Sequence, residues 1–204
     1  MKVRTLAALA LSLMIATSAV AQEKKGATPP EMTAEQKAMM DAWQKAATPG
    51  DPHKQLMSQY EGTWTTKQSM WMEPGKDPIV ETGKSVNTAV FGGRQLRMDY
   101  TSQFMGQPYQ GLGFSGYDNI TGKYVSTWMD SMSTSLFVSE GEYDPASKTY
   151  TYHAQMPDPM KPDTMVPVRN VVRIIDNDHH VFEMYETRDG KEAKTMQIEY
   201  TRSK

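Results

Sequence analysis

The stretch from Tyr109 to Tyr152 constrains the fold more than any other part of the sequence. Short runs of aromatic, β-branched and small residues alternate there with turn-forming clusters. The clusters, rich in Asp, Asn, Gly and Ser, recur at near-regular intervals at residues 118–122, 130–133 and 144–147. This rhythm predicts a β-meander, in which neighbouring strands pair in antiparallel fashion.

The same rhythm continues through the chain after Gln59, where we predict about ten strands and no helix. The predicted strands are residues 62–72, 79–91, 94–104, 109–117, 123–130, 134–143, 148–155, 166–176, 180–187 and 193–202. One antiparallel sheet of this size either exposes two edges or closes on itself. We therefore predict a mainly β fold, a single antiparallel up-and-down β-barrel preceded by a short N-terminal helix.

Within the predicted strands, apolar and polar residues alternate with a period of two. The runs from Leu96 to Phe104 and from Met196 to Tyr200 show this pattern. One face of each strand is thus expected to face the barrel interior and the other to face solvent. The Pro-rich stretch 156–167 interrupts the alternation. We predict it to be the longest irregular connection, either a mobile loop over the barrel mouth or a solvated hairpin loop.

The first 21 residues have the three parts of a secretory signal peptide. Lys2 and Arg4 precede an apolar run at residues 6–15 and a small-residue cleavage site at residues 19–21. The apolar run is shorter than the roughly 20 residues that span a bilayer, which disfavours a membrane anchor. We expect four segments: a signal peptide at 1–21, a flexible linker at 22–32, an N-terminal helical segment at 33–59 and a β-barrel domain at 60–204.

The chain has no cysteine, which excludes disulfides, thiolate metal sites and lipid attachment at a cysteine. Together with the leader, this predicts a soluble periplasmic or secreted protein with no stable membrane span after cleavage. The 22 basic residues, less the two in the leader, stand against 24 acidic residues and give a mature net charge of about −4. Such a balance does not favour a nucleic-acid partner. The oligomeric state is left open.

The helical segment begins with a capping signature, since Gln36 follows Thr33 by three residues. The Met and Trp residues within 39–43 then fall at helical spacing, and residues 51–52, an Asp-Pro pair, start a second short helical turn. The simpler use of the Met/Trp face is to cap one end of the barrel. The alternative is a partner-interaction module, which requires that face to be exposed.

Gly62-Thr63-Trp64 opens the first predicted strand and resembles the Gly-x-Trp motif of lipocalins. In those barrels the Trp closes the base and an Arg from the last strand lies across its ring, a part for which Arg202 has the right parity. A longer resemblance, over residues 50–203, is to the bacterial family called domain of unknown function 1579. The segments that carry it are residues 71–75, 91–94, 116–119, 124–130, 140–144 and 172–176. It implies a secreted, lipocalin-like barrel without an established activity.

Binding of a small apolar or amphipathic molecule is the first functional hypothesis, because a barrel of this size has room for one. The candidate ligand-binding residues, chosen for inward parity and amphipathic character, are Met98, Tyr100, Phe114, Trp128, Asp130, Tyr152 and Tyr185. Asp130 ends a strand, where it either orients a polar group of the ligand or forms a turn. The rival hypothesis is a structural barrel whose interior is packed solid.

Periplasmic handling of copper or haem is the second hypothesis, since the chain contains 17 Met and 4 His. Thioethers favour Cu(I), although Met is also a common filler of irregular cores. His179 and His180 are adjacent and would face opposite sides of a strand, and we predict them in a solvated turn. His153, at a strand end, is the better single candidate for an axial haem ligand.

The sequence contains none of the catalytic motifs that we considered. Residues 113–116 lack the spacing of Gly-x-Ser-x-Gly, and neither His-Glu-x-x-His nor a phosphate-binding Gly-rich loop occurs. The sequence therefore neither supports nor excludes an enzymatic function.

Overall fold

The computed structural model describes residues 31–73 and 75–204. The predicted signal peptide and most of the predicted linker lie outside these residues. Of the described residues, 31–39 fall in one compact unit and 40–204 in another, and helix α1 (Ala34–Ala47) spans the boundary. Thr33 caps α1 as predicted. The Gln36 N–H donates to Oγ1 of Thr33 at 3.2 Å, and the Thr33 N–H donates to Oε1 of Gln36 at 2.8 Å.

Helix α2 (Asp51–Tyr60) packs one face against the barrel core. The buried residues are His53, Leu56 and Tyr60, and Leu56 is 1% exposed. Their spacing of three and four residues places them on one side of the helix. α2 therefore closes one end of the barrel. Neither helix in the described part of the chain is long and apolar enough to cross a bilayer.

Ten strands follow α2, as predicted. They are β1 (Gly62–Met70), β2 (Ile79–Val90), β3 (Gln95–Phe104), β4 (Gln107–Asp118), β5 (Lys123–Asp130), β6 (Phe137–Asp144), β7 (Thr149–Asp158), β8 (Lys161–Ile174), β9 (His179–Arg188) and β10 (Lys191–Arg202). Each strand pairs antiparallel with the next, and β1 also pairs with β10. The predicted up-and-down barrel is confirmed, and its closure leaves no free edge among these ten strands.

The strands alternate between the barrel interior and the outer surface. In β1, every second residue from Trp64 to Met70 is buried. Directly paired residues of antiparallel strands point to the same face of the sheet. The register therefore carries the parity of β1 around the barrel and assigns an inward or outward position to the residues of the other strands.

Trp64 and Arg202 fasten the first and last strands together. Trp64 is 0% exposed, and its indole N–H donates to the backbone oxygen of Tyr60 at 2.9 Å. The Arg202 guanidinium lies 4.1 Å from the centroid of the Trp64 ring. Arg202 also donates to the backbone oxygens of Glu61 and Asn177, at 2.6 and 2.9 Å. The arrangement that the lipocalin resemblance implied is present.

The Pro-rich stretch 156–167 is not an irregular loop, so that prediction is wrong. β7 continues to Asp158 and β8 begins at Lys161. Pro157 pairs with Met165 within this hairpin. A proline is tolerated in a strand where the ladder does not need its missing N–H. Composition alone therefore misidentifies a regular β-ribbon as a loop.

Candidate functional site

Aromatic rings fill the barrel interior next to α2. The Tyr60 ring contacts those of Tyr150 and His180, with centroids 5.6 and 5.0 Å apart. Tyr150 is 0% exposed, and its hydroxyl donates to Oε1 of Gln59 at 2.6 Å. Other buried members of the cluster are Leu56, Leu96, Tyr124, Tyr152 and Val172. This closely packed end is called the floor below, and the opposite end is called the mouth.

The inner wall between the floor and the mouth is covered less completely. Several residues point inward by register and yet remain partly exposed. They are Met98, Tyr109, Trp128, Phe137, Met184 and Met196. An inward side chain that keeps accessible surface borders unfilled space, because a close-packed core leaves none. These side chains therefore border solvent-accessible space at the inner wall above the floor, and this space is called the lumen below.

Trp128 lies across the inner face of β4, against two glycines. A side-chain carbon on Gly111 or Gly113 would collide with the indole ring, and at Gly113 it would lie 2.8 Å from Cε3 of Trp128. The indole N–H donates to the Tyr109 hydroxyl at 3.2 Å. The Tyr100 ring meets the Trp128 ring edge-on, with centroids 6.1 Å apart. The glycines thus make room for a flat aromatic part of the wall.

Tyr100 belongs to a hydrogen-bonded group inside the barrel. It is 3% exposed, donates to Oε1 of Gln68 at 2.9 Å and accepts from the Thr66 hydroxyl at 3.2 Å. Burial raises the pKa of Tyr100, so the hydroxyl stays protonated. The ring of Tyr100, rather than its occupied hydroxyl, is what this residue offers to a ligand.

Three buried polar atoms in the interior have no hydrogen-bond partner among the described residues. They are the Tyr60 hydroxyl, Oδ1 of Asn170 and Nδ1 of His180, on residues that are 8, 8 and 3% exposed. A fourth such atom, Oγ1 of Thr195, lies at the irregularity of β10. A buried polar group without a partner costs about 1–3 kcal/mol. These atoms have almost no accessible surface, so the packed interior itself carries this cost.

The turn predicted at His179 and His180 is wrong, because β9 begins there. His179 is exposed, whereas His180 points into the barrel. The His180 ring stacks on Tyr200 with centroids 4.2 Å apart and meets Trp64 edge-on at 4.4 Å. Burial, and then the charge of Arg202, lower the pKa of His180 to about 3. This buried, neutral imidazole is the main interior residue that the sequence reasoning missed.

Asp130 combines an inward position with a turn. It pairs with Gly111 and is partly buried. Its Oδ1 accepts the backbone N–H of Met132 at 2.9 Å, so the carboxylate stabilises the turn after β5. Burial, and to a smaller extent the Asp130 charge, raise the pKa of the Tyr109 hydroxyl. Asp130 thus lies at the rim of the mouth, next to a wall residue.

Phe114 and Tyr185 lie on the outer surface, so their predicted positions in the wall are wrong. Phe114 pairs with the outward Arg97 and has the opposite parity to the inward residues of β4. Tyr185 pairs with Arg169, whose guanidinium lies 4.2 Å from the tyrosine ring centroid. The Tyr185 hydroxyl donates to Oε2 of Glu183 at 3.1 Å. Neither ring borders the lumen.

Candidate residues also line clefts on the outer surface of the described barrel. One, of about 450 Å³, runs along β3, β4 and β5, and its lining includes Tyr100 and Asp130. The other, of about 420 Å³, lies beside the end of α1 and includes Phe114 and Asn119. The Asn119 amide donates to the backbone oxygens of residues 45, 46 and 48, which fixes the end of α1 against this cleft.

The candidate metal ligands are dispersed. In the part of the chain that the structure describes, no group of three or more His, Asp or Glu residues is placed to hold a metal ion. His53 is buried in α2, and His153 is exposed on the outer face of β7. Met70, Met196 and Met184, however, face inward at directly paired positions of three adjacent strands. They form a row of thioethers on the inner wall.

The apolar residues of α1 are exposed. Met39, Met40 and Trp43 are 53, 55 and 67% exposed, and none of the 14 residues of α1, all of them described, is buried. The predicted use of this face as a barrel cap is therefore wrong, and α2 supplies the packing at the floor. The exposure that a partner-interaction module requires is present.

Comparisons with known proteins identify a family and a fold. The crystal structure of Rv2717c from M. tuberculosis is similar, with a TM-score of 0.55 and 14% sequence identity. The similarity covers 76% of this chain and 100% of that chain, and at this identity it shows the fold alone. A search of curated proteins finds no match. Residues 48–202 match the family described as Protein of unknown function (DUF1579), and the chain therefore belongs to that family.

Proposed function

We propose that the barrel binds a small apolar or amphipathic molecule in its lumen. The observation that carries the proposal is the set of inward side chains that stay partly exposed above a closely packed floor. Met98, Trp128 and Met184 give this wall an aromatic and thioether surface. Sites for small ligands are typically concave and mostly apolar, with a few well-placed polar groups. Tyr109 and Asp130, which are inward and partly exposed, supply polar groups near the mouth.

The proposal includes export, which the charged and apolar pattern of residues 1–21 supports. We propose that the mature chain begins at Gln22 and acts in the periplasm or outside the cell. N-terminal sequencing of the protein from its own host should begin at Gln22. Material that keeps residues 1–21 would contradict export with cleavage.

Titration with the neutral fluorescent probe N-phenylnaphthylamine tests ligand binding. Its emission rises on transfer from water to an apolar site, and we expect a saturable rise with one probe per barrel. Trp128→Ala removes part of the wall and should weaken binding about tenfold or more. Phe114→Ala is the matched control, because it removes an aromatic ring from the outer surface of the adjacent strand. It should leave the affinity unchanged.

Two results of this titration would contradict the proposal. One is the absence of a saturable signal with the unmodified protein, which would leave the solid-core barrel as the better description. The other is a loss of affinity in Phe114→Ala that equals or exceeds the loss in Trp128→Ala. That result would favour the outer cleft beside α1 over the lumen.

A second candidate function is binding of Cu(I), and the row formed by Met70, Met196 and Met184 favours it. Directly paired residues of antiparallel strands have Cβ atoms about 4.5–5.5 Å apart, which lets their thioethers approach one ion. Thioether ligands select Cu(I). Titration against the chelator bathocuproine disulfonate should show uptake that Met196→Leu abolishes and that Met98→Leu, a control elsewhere on the wall, preserves. Equal uptake by both variants would rule out this site.

A further inference from the structure

Helix α1 and the two loops that hold its end carry large apolar side chains that are exposed to solvent. They are Met40 and Trp43 in α1, Phe91 in the loop between β2 and β3, and Ile120 in the loop between β4 and β5. We propose that these four residues, called the docking residues below, bind the head-group region of a bilayer of zwitterionic lipids. The proposal goes beyond ligand binding in the lumen and does not depend on it.

The sequence of α1 is amphipathic, although none of its 14 residues is buried. Met40, Trp43 and Ala47 follow one another at spacings of three and four residues, which places them on one side of the helix, whereas Asp41 and Lys45 lie on the other side. Most of the stability of a helix this short comes from packing of its apolar face. An exposed amphipathic helix with tryptophan on its apolar face is typical of segments that bind at a membrane surface.

Hydrogen bonds tie the end of α1 to both loops. The Arg94 guanidinium donates through Nε to the backbone oxygen of Ala47 and through Nη1 to that of Phe91, each at 2.8 Å. The Asn119 amide donates to three backbone oxygens near the end of α1. Both loops lie at the floor end, because successive hairpins of an up-and-down barrel alternate between its two ends. The docking residues therefore belong to one connected part of the molecule.

The two loop residues are held in exposed positions. Phe91 is 73% exposed and has a φ of 52°, a left-handed conformation that bulky residues rarely adopt and glycine adopts freely. Ile120 is 78% exposed, and its backbone N–H donates to Oδ1 of Asp118 at 2.8 Å, which fixes the turn. Stability of the turns alone does not favour an apolar residue at either place. A bulky residue in a strained, exposed position points to a function.

The separation of the docking residues favours a bilayer over a folded protein partner. They belong to three elements, and polar residues such as Asp118 and Asn119 adjoin them in the chain. A stable protein interface buries about 800 Å² of surface on each partner in a closely packed patch. The head-group region is fluid and accepts separate apolar side chains, and aromatic residues are enriched there.

The charges of α1 favour zwitterionic over anionic lipid. The helix contains two acidic residues, Glu35 and Asp41, and two basic residues, Lys37 and Lys45. Attraction to anionic lipid requires a surplus of Lys or Arg near the membrane surface. A helix whose charges balance lacks that surplus, so its apolar residues supply the binding energy.

Co-sedimentation of the protein with vesicles of palmitoyl-oleoyl-phosphatidylcholine tests the proposal. We expect a measurable partition coefficient, which Trp43→Ala should lower about tenfold by removing the largest docking side chain. Ile120→Ser should lower it about threefold. Met160→Ala is the matched control, because Met160 is 86% exposed in the turn between β7 and β8, at the mouth. It should leave the partition coefficient unchanged.

Quenching of tryptophan fluorescence by brominated phosphatidylcholine gives a second readout. Trp43 should be quenched on binding, since its ring enters the region that the brominated chains border. Trp43→Phe keeps an aromatic ring at this position, so it should retain binding within about threefold and lose most of the quenching. Equal quenching of the unmodified protein and of Trp43→Phe would show that another tryptophan enters the bilayer and would overturn the proposal.

Three further results would overturn it. One is the absence of co-sedimentation with phosphatidylcholine vesicles, and another is a loss of binding in Met160→Ala as large as the loss in Trp43→Ala. The third is a dimer in sedimentation velocity that Trp43→Ala dissociates, in a protein that does not bind vesicles. That result would assign the docking residues to contact with a second copy of the chain.

Discussion

His180 is a titratable side chain held among aromatic rings at the barrel floor. Tyr200 stacks on it, and Trp64 and Tyr60 meet it edge-on. A positive charge at this position would lose its hydration and lie close to the charge of Arg202. The folded state therefore holds His180 as a neutral imidazole, and protonation favours the unfolded chain.

We expect the free energy of unfolding to decrease as the pH falls below about 6.5. The pKa of His180 is about 3 in the folded state and about 6.5 in the unfolded chain. In this range the unfolded chain binds the additional proton, which lowers the stability by up to about 1.4 kcal/mol per pH unit. Urea unfolding between about pH 7 and pH 5 measures this slope, because most carboxylates titrate below this pH range. His180→Phe should remove most of it, and an unchanged slope would contradict the assignment.

The contact between Gly111 and Trp128 is testable by a double-mutant cycle. The methyl group in Gly111→Ala would overlap the indole ring, so we expect a loss of about 1–3 kcal/mol in the free energy of unfolding. In a Trp128→Ala background the ring is gone, and the same substitution should cost less than about 0.5 kcal/mol. Strictly additive losses in urea denaturation would argue against the contact.

The positions of individual wall residues were only partly predictable from the sequence. Five of the seven candidate residues face inward: Met98, Tyr100, Trp128, Asp130 and Tyr152. Phe114 lies outside because β4 turns its glycines inward to admit the rings of neighbouring strands, which inverts the usual hydrophobic pattern. The inward position of His180 was predictable from the sequence, since His180, Phe182 and Met184 alternate with a period of two.

At the scale of elements, α1 and α2 both have apolar residues at helical spacing, but their environments differ. α2 is joined to β1 through Glu61 alone, so the helix ends directly above the barrel interior. α1 ends at Ala47, and barrel-loop side chains hold its last turn, with Arg94 Nε donating to the Ala47 backbone oxygen at 2.8 Å. Apolar periodicity alone does not distinguish a helix that packs from one that stays exposed. The short connection between α2 and β1 makes this distinction.

Substitutions in the two helices should have very different costs. Leu56→Ala in α2 removes a side chain that is 1% exposed and should lower the free energy of unfolding by about 2–5 kcal/mol. Trp43→Ala in α1 removes one that is 67% exposed and should change it by less than about 0.5 kcal/mol. Both values come from urea denaturation. A cost for Trp43→Ala close to that of Leu56→Ala would mean that α1 packs in solution.

The strands themselves were predictable because their ends carry strong local signals. Asp189-Gly190 is a hairpin dipeptide, and both residues have the positive φ that such a turn requires, 50° and 73°. The hairpin of β7 and β8 was missed because its prolines suggest a loop. Whether the ladder needs a given N–H depends on the partner strand, which local sequence does not reveal.

At the scale of the whole molecule, closure of the barrel and the packing of α2 act together. Pairing of β1 with β10 removes the sheet edges, and α2 fills one end with buried side chains. The remaining inner wall is lined by rings and thioethers, and a few buried polar atoms stay unpaired. The closed sheet was predictable from alternation and turn spacing. The unpaired atoms were not, because they depend on how side chains from distant strands meet.

A crystal structure of the protein with N-phenylnaphthylamine at saturating concentration tests the lumen most directly. We predict density for one probe inside the barrel, with its rings against Trp128. Probe density in the outer cleft beside Phe114, with none inside the barrel, would contradict ligand binding in the lumen.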